Sequence, residues 1–322
     1  MATVLVTGGA GYIGSHACKA LAQAGHRPVV YDNLSRGWRD AVRWGPLEVG
    51  DVGDPAALDA AFARHRPDCV MHFAALAYVG ESVVDPAAYY RTNLGGTLTL
   101  LDAMRRHGVP CLVFSSTCAI YGLPERVPMD EDTPQAPISP YGAAKQMVER
   151  VLADYAAAYG LRAIALRYFN AAGADPDGLI GERHEPESHA VPLAILAALG
   201  RRERFRVLGT DYPTPDGTAI RDYVHVDDLA AAHVTAADRL IAGGPGGAFN
   251  LGTGRGTSVL ELLRAVERVA GRPVPVEFAP RRPGDAPVLV AAAGRVRTAL
   301  GWRPAYDSID AIVATAWRWH AR

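Results

Sequence analysis

The chain has 322 residues, 49% hydrophobic and 21% charged, which is enough apolar material for a large core and excludes disorder as its default state. Its 33 basic and 34 acidic side chains leave a net charge of −1, so no global field draws it to nucleic acid or to an anionic membrane. Cys18, Cys69, Cys111 and Cys118 contain no CxxC pair and read as reduced thiols. Met1 leads straight into Val4-Leu5-Val6 without a basic leader, and no apolar run is long enough to span a bilayer, so a soluble, cytoplasmic protein is expected.

Short apolar runs at 4–6, 28–31, 47–49, 69–73, 111–114 and 163–166 alternate with helical patterns. That alternation predicts an α/β fold, a Rossmann-type doubly wound parallel sheet with helices on both faces. Past Asn170 the pattern breaks into Pro- and Gly-punctuated segments such as Asp211-Tyr212-Pro213-Thr214-Pro215-Asp216-Gly217. The expected division is a dinucleotide-binding domain over 1–169 and a smaller mixed α/β substrate domain over 170–322, with about 218–245 returning to the first domain.

Directly after the first run comes Thr7-Gly8-Gly9-Ala10-Gly11-Tyr12-Ile13-Gly14, with Gly9, Gly11 and Gly14 in GxGxxG spacing, and it opens a helix. Glycines here let the chain turn tightly, bring backbone N–H groups against a pyrophosphate and let helix pack on strand, while the helix N-terminus favours negative charge. Gly8, Gly11 and Gly14 are thus cofactor-binding candidates. Asp32 ends the second run, close to the spacing of about 20 residues at which a carboxylate meets the adenosine ribose. It would repel a 2′-phosphate, so NAD is favoured over NADP, although Arg36 and Arg39 lie nearby. Asp51-Val52 and Phe73-Ala74-Ala75 fall at carboxyl ends of later strands, where the rest of the cofactor should run.

Ser139-Pro140-Tyr141-Gly142-Ala143-Ala144-Lys145 begins a long helix ending at Gly160, which places Tyr141 and Lys145 one turn apart on one face. A free tyrosine, with a pKa of about 10, is a poor base at neutral pH, but a nearby ammonium and a positive nicotinamide ring would favour its phenolate. Ser115-Ser116-Thr117, at the end of the fifth run, can supply a hydroxyl to relay or orient the proton. His184 and His189 frame an acidic stretch, yet no third or fourth ligand is evident in the sequence, so a pair of loop histidines and no metal are expected.

With HFAA(x)3VGES, SPYGAAK, LRYFNAAGA, DGTAIRDYVHVDDLA, FNLGTG and APRRPGD added to the glycine segment, the sequence resembles the UDP-glucose 4-epimerases of the extended short-chain dehydrogenase/reductase superfamily over nearly its whole length. The resemblance implies Tyr141 as catalytic base and acid, Lys145 holding the nicotinamide ribose and lowering the tyrosine pKa, and Thr117 at the family's Ser or Thr position. It implies cofactor contacts at Tyr12, Ile13, Asp32, Asn33, Asp51, Val52, Phe73, Ala74, Lys145 and Phe169, with Asn93 adjacent to a further one. For a UDP-sugar it implies Asn170, Arg221, Arg282 and Asp285, the arginines on the diphosphate and the carboxylate on the ribose, with His189 standing where some relatives carry asparagine. Read without the family, Arg221-Asp222 is a surface ion pair.

The implied activity is inversion at carbon 4 of UDP-glucose or UDP-galactose through a 4-keto sugar, with tightly bound NAD in a homodimer. A dehydratase would need an acid at Thr117-Cys118-Ala119. A 4-epimerase acting on UDP-GlcNAc, UDP-xylose, UDP-arabinose or a uronate stays open, because Leu289 beside the hexose does not decide the sugar. So does a non-catalytic NAD-binding regulator, which usually lacks the tyrosine or the lysine.

Overall fold

The computed structural model describes residues 1–282 and 284–322. The six apolar runs form β1 (Thr3–Thr7), β2 (Arg27–Asp32), β3 (Leu47–Val49), β4 (Cys69–His72), β5 (Cys111–Thr117) and β6 (Arg162–Tyr168). They pair in parallel in the order 3-2-1-4-5-6. The order reverses between β1 and β4, so a crevice opens at their carboxyl ends.

Side chains alternate across the sheet, and both faces are buried. Val4, Val6, Val30, Met71 and Val113 face one layer, with Ala17 and Leu21 of α1 (Tyr12–Gln23). Leu5, Val29, Val70, Leu112 and Phe114 face the other. That layer is built by α2 (Pro55–His65), α5 (Gly96–Arg106) and α6 (Pro140–Tyr159), with the short helices α3 (Val79–Val84) and α4 (Pro86–Tyr89) before α5.

Capping explains where these helices start and stop. Asp54 accepts from Ala56 N and Ala57 N ahead of Pro55, and Ser139 Oγ accepts from Gly142 N at 3.2 Å ahead of Pro140. Gly160 closes α6 at φ 71°, the left-handed conformation open to glycine.

Beyond β7 (Asn170–Ala172), α7 (Ala190–Ala198), β8 (Phe205–Leu208), β9 (Ile220–Arg221) and β10 (Tyr223–His225), the chain comes back to the first layer. α8 (Val226–Ile241) buries Leu229, Ala232, Ala236 and Leu240 in the same core as α1, and β11 (Gly247–Leu251) pairs with β6 as the seventh parallel strand. β12 (Thr257–Ser258), α9 (Val259–Ala270), β13 (Val276–Ala279), β14 (Val288–Leu289), α10 (Gly294–Leu300) and α11 (Ile309–His320) complete the chain. β9 lies between β12 and β14, β8 pairs with β13, and α7, α9 and α11 share a separate core that includes Ile195, Leu262 and Ile312. Among the described residues no helix is long and apolar enough to cross a membrane.

Candidate active site

At the carboxyl edge, Phe73 N and Ala74 N donate to Thr7 O, which brings the β4 turn against the glycine loop. Gly8 has φ 73°, and a Cβ there would lie 2.6 Å from Ala74 N; one on Gly14 would lie 2.2 Å from Gly8 O. Only glycine fits at either place, and the first turn of α1 is left without a side-chain cap. The cradle therefore suits a pyrophosphate on a helix N-terminus. Tyr12 and Ile13 open that helix, but the Tyr12 hydroxyl donates to Gly173 O at 2.6 Å and Ile13 packs on the core.

Asp32 is 7% exposed, and its carboxylate accepts from Ala10 N at 3.0 Å and Leu34 N at 2.8 Å. Burial pushes its pKa up, while these two bonds pull it back. Asn33 donates to Asp51 at 2.7 Å, which ties the ends of β2 and β3 together, and Val52 is buried beside them. Arg36, which weakened the preference for NAD, is engaged by Glu81 at 2.9 Å and by Glu185 O. Ala75 is partly buried next to Ala74, and Phe73 packs on His233. Asn93 sits in a π-helical stretch and clamps Leu76, accepting from its N–H at 2.8 Å and donating to its carbonyl at 2.9 Å. Its amide thus positions the loop after β4. His72, which drew no attention in the sequence, bridges Thr7 and Thr97 and is held neutral, its pKa lowered by burial to about 3.

Of the hydroxyl run on β5, Ser115 is bonded to Tyr168 and Ser116 to Glu149. Thr117 Oγ1 accepts from Ala119 N at 3.1 Å, and its hydroxyl is near enough to the Tyr141 phenol to pull that group's pKa down. Lys145, one turn along α6, is 3% exposed, donates to Ser115 O at 2.8 Å and lies over the Phe114 ring. Burial lowers its pKa to about 7, opposed by Glu149. Burial also pushes Tyr141 up to about 12, with Thr117 pulling it down. At the phenol, desolvation outweighs the pull of Thr117.

A buried polar network behind the site was not read from the sequence. Glu149 and Arg167 pair in two-pronged fashion, Arg167 also donates to Tyr121, and Tyr121 donates to Asn250. The spacing of Lys145 and Glu149, one helical turn, was the available signal.

On the other wall of the crevice, the ion pair read at Arg221-Asp222 is absent. Asp222 is fully buried and accepts from Thr253, Gly254 and Ala291. Arg221 instead pairs with Asp285 at 2.5 Å. Arg282 is exposed on the same loop as Asp285, whose N–H donates to the Arg282 carbonyl. Asn170 N donates to Asp222 O, and Phe169 is buried with Cys118, Tyr121 and Ala291.

The two loop histidines do have partners: the fold brings Glu182 and Glu187 to both of them. Burial works against a charge on His189, but Glu182 and Glu187 outweigh it and lift its imidazole to about 10.

A glycine cradle at the sheet's switch point, with a tyrosine, a lysine and a threonine beside it, defines a dinucleotide-dependent enzyme of the short-chain dehydrogenase/reductase type. The chain belongs to the NAD dependent epimerase/dehydratase family, whose model matches residues 4–252. It is 59% identical over 319 residues to the UDP-glucose 4-epimerase of Rhizobium meliloti (strain 1021), covering 99% of this chain and 97% of that one. It is 53% identical to the Azospirillum brasilense UDP-glucose 4-epimerase, covering 98% of this chain and 91% of that one. The solved structure of the Brucella ovis UDP-glucose 4-epimerase in complex with NAD is similar with a TM-score of 0.97 and 53% identity, over 99% of both chains. The Bifidobacterium longum UDP-glucose 4-epimerase in complex with NAD+ and UDP gives 0.94 and 38%, over 99% and 98%.

Proposed function

We propose that this protein is an NAD-dependent isomerase that interconverts UDP-glucose and UDP-galactose by inversion at carbon 4, through a transient 4-keto sugar. The observation that carries the reading is the meeting of Tyr141, Thr117 and Lys145 at the carboxyl edge beside the glycine cradle.

NAD supplies the reversible oxidation at carbon 4 and is regenerated in each turnover, so it can stay bound. Gly8, Gly11 and Gly14 bring backbone to the pyrophosphate, Asp32 takes the adenosine ribose, and the ends of β3 and β4 border the rest. Tyr141 takes the proton of the 4-hydroxyl and returns it, with Thr117 orienting its phenol and Lys145 supplying a donor to the nicotinamide ribose. Arg221 and Arg282 hold the diphosphate and Asp285 the uridine ribose. A firm grip there, with a loose one on the hexose, lets the keto sugar present either face.

The division of labour follows: 1–169 for NAD and 170–322 for the nucleotide sugar, with α8 and β11 lent to the first. We place the protein in the cytoplasm, on the strength of four buried free cysteines, and read it as a homodimer, in which a second copy covers the exposed Val83, Val84 and Met147 of the packed helices α3 and α6.

Incubation with UDP-galactose and no added cofactor should yield UDP-glucose. Tyr141→Phe should lower turnover by about 10²-fold or more and leave bound NAD in place. Absence of conversion even with NAD supplied would turn the reading towards another UDP-sugar or a non-catalytic role.

A further inference from the structure

Residues 182–189 lead into α7 and carry four side chains that the proposed reaction does not use as a group. His184 and His189 turn their Nδ1 atoms towards the carboxylates of Glu182 and Glu187. One donor atom from each of the four lies within 4.8 Å of every other. His184 Nδ1 is 3.3 Å from Glu182 Oε1 and 3.7 Å from Glu187 Oε2, and His189 Nδ1 is 3.0 Å from both Glu182 Oε1 and Glu187 Oε1. Donors about 2.0–2.1 Å from a tetrahedral zinc ion are separated by about 3.4 Å. The edges among Glu182 Oε1, His184 Nδ1, Glu187 Oε2 and His189 Nδ1 that lie at 3.0, 3.3 and 3.7 Å are close to that value, and the wider ones, up to 4.8 Å, have to draw in for all four to bind one ion.

Charge and surroundings agree with the geometry. Once the ion displaces the protons that the carboxylates hold on the imidazoles, two carboxylates balance a dication and two neutral imidazoles add none, the mixed nitrogen and oxygen set that zinc accepts. Glu182 is 3% exposed, and His184 Nδ1 is buried without a properly oriented hydrogen-bond partner. Glu187 Oε1 accepts from Ser188 N and His189 N, both at 2.8 Å, which leaves Oε2 to turn to an ion. An outer shell fixes the loop itself: Trp319 donates to Glu182 O at 2.9 Å and Trp38 to Arg183 O at 3.0 Å.

We infer that Glu182, His184, Glu187 and His189 form a tetrahedral site for one divalent cation of the zinc class. All four ligands come from the protein, so the site is structural. It staples 182–189 against Tyr12 of the glycine-loop helix and against Tyr78, whose rings flank His184. His189 thereby serves the ion through Nδ1.

The test is to strip the full chain with a chelator, titrate it with Zn²⁺ against a chromophoric competitor, and add Co²⁺ in parallel for its visible absorption. One equivalent of Zn²⁺ and the d–d spectrum of four-coordinate cobalt are expected. His184→Ala and Glu187→Gln should each weaken Zn²⁺ binding by at least about 100-fold, the upper end of what outer-shell losses cost, with far-UV circular dichroism reporting that they fold. Absence of stoichiometric binding to the unsubstituted protein, or undiminished binding by a folded variant, would mean an ion-pair cluster only and overturn the site. Where a variant does not fold, the cobalt spectrum of the unsubstituted protein decides: a six-coordinate spectrum or none refutes it.

Discussion

Tyr141 and Lys145 lose solvent together when α6 docks on β5, and burial moves both away from the charged form, to about 12 and about 7. The lysine makes stability depend on pH. Its folded pKa lies below the ordinary value of 10.5, so between about 7 and 10.5 the unfolded chain binds more protons and stability rises with pH. The cost of burying the ammonium is fully present below about 7. His189 acts in the opposite direction: with its imidazole lifted from 6.5 to about 10, its stabilisation is complete below 6.5 and is lost as the pH climbs to about 10. Comparison with Lys145→Met separates the two. Denaturant unfolding of cofactor-free protein at pH 7 and pH 9 should show the unsubstituted chain gaining stability relative to Lys145→Met; equal changes in both would mean that the lysine is not depressed. Tyr141, Lys145 and Thr117 were legible because Tyr and Lys lie one turn apart on a helix and the hydroxyl run ends a strand. That Ser115 and Ser116 are taken up by Tyr168 and Glu149 was not, because those partners lie far along the chain.

At the scale of elements, the glycine loop needed no tertiary information, since strand, turn and helix are consecutive in the chain. The loop after β4 is different: its shape is held from a distance by Asn93 in the π-helical stretch Tyr90–Gly95, and no local pattern announces an i to i+5 turn. Asn93→Ala leaves the N–H and carbonyl of Leu76 without their partner, an expected loss of about 1–3 kcal/mol. Urea unfolding measures it, and NAD rebinding should weaken at the same time because the loop borders the cradle. A change within about 0.5 kcal/mol with intact NAD affinity would show that the clamp is not needed. Asp222 teaches the same lesson. Beside Arg221 it reads as a surface pair, yet it is a buried hub for backbone from three separate segments.

At the scale of the whole molecule, the late chain is sewn to the early one. α8 packs beside α1, β11 extends the sheet, and Asp228 of α8 holds the C-terminal segment, accepting from Ala305 N at 2.8 Å and Tyr306 N at 3.0 Å while its carbonyl accepts from Trp302. Asp228→Ala should therefore cost about 2 kcal/mol and unfold in one transition, as judged by the urea midpoint with fluorescence and circular dichroism coinciding. Two separated transitions would show instead that the two parts unfold independently. The sequence by itself determined the parallel sheet, the cradle, the Asp32 position and the tyrosine–lysine turn, because period, glycine spacing and capping act over a few neighbouring residues. Only the tertiary structure decided that Arg221 meets Asp285, that Glu149 and Arg167 lie behind the lysine, and that Glu182 and Glu187 close around His184 and His189. Those contacts join segments whose approach is set by how helices and strands pack, and packing leaves no periodic mark on the residues that meet.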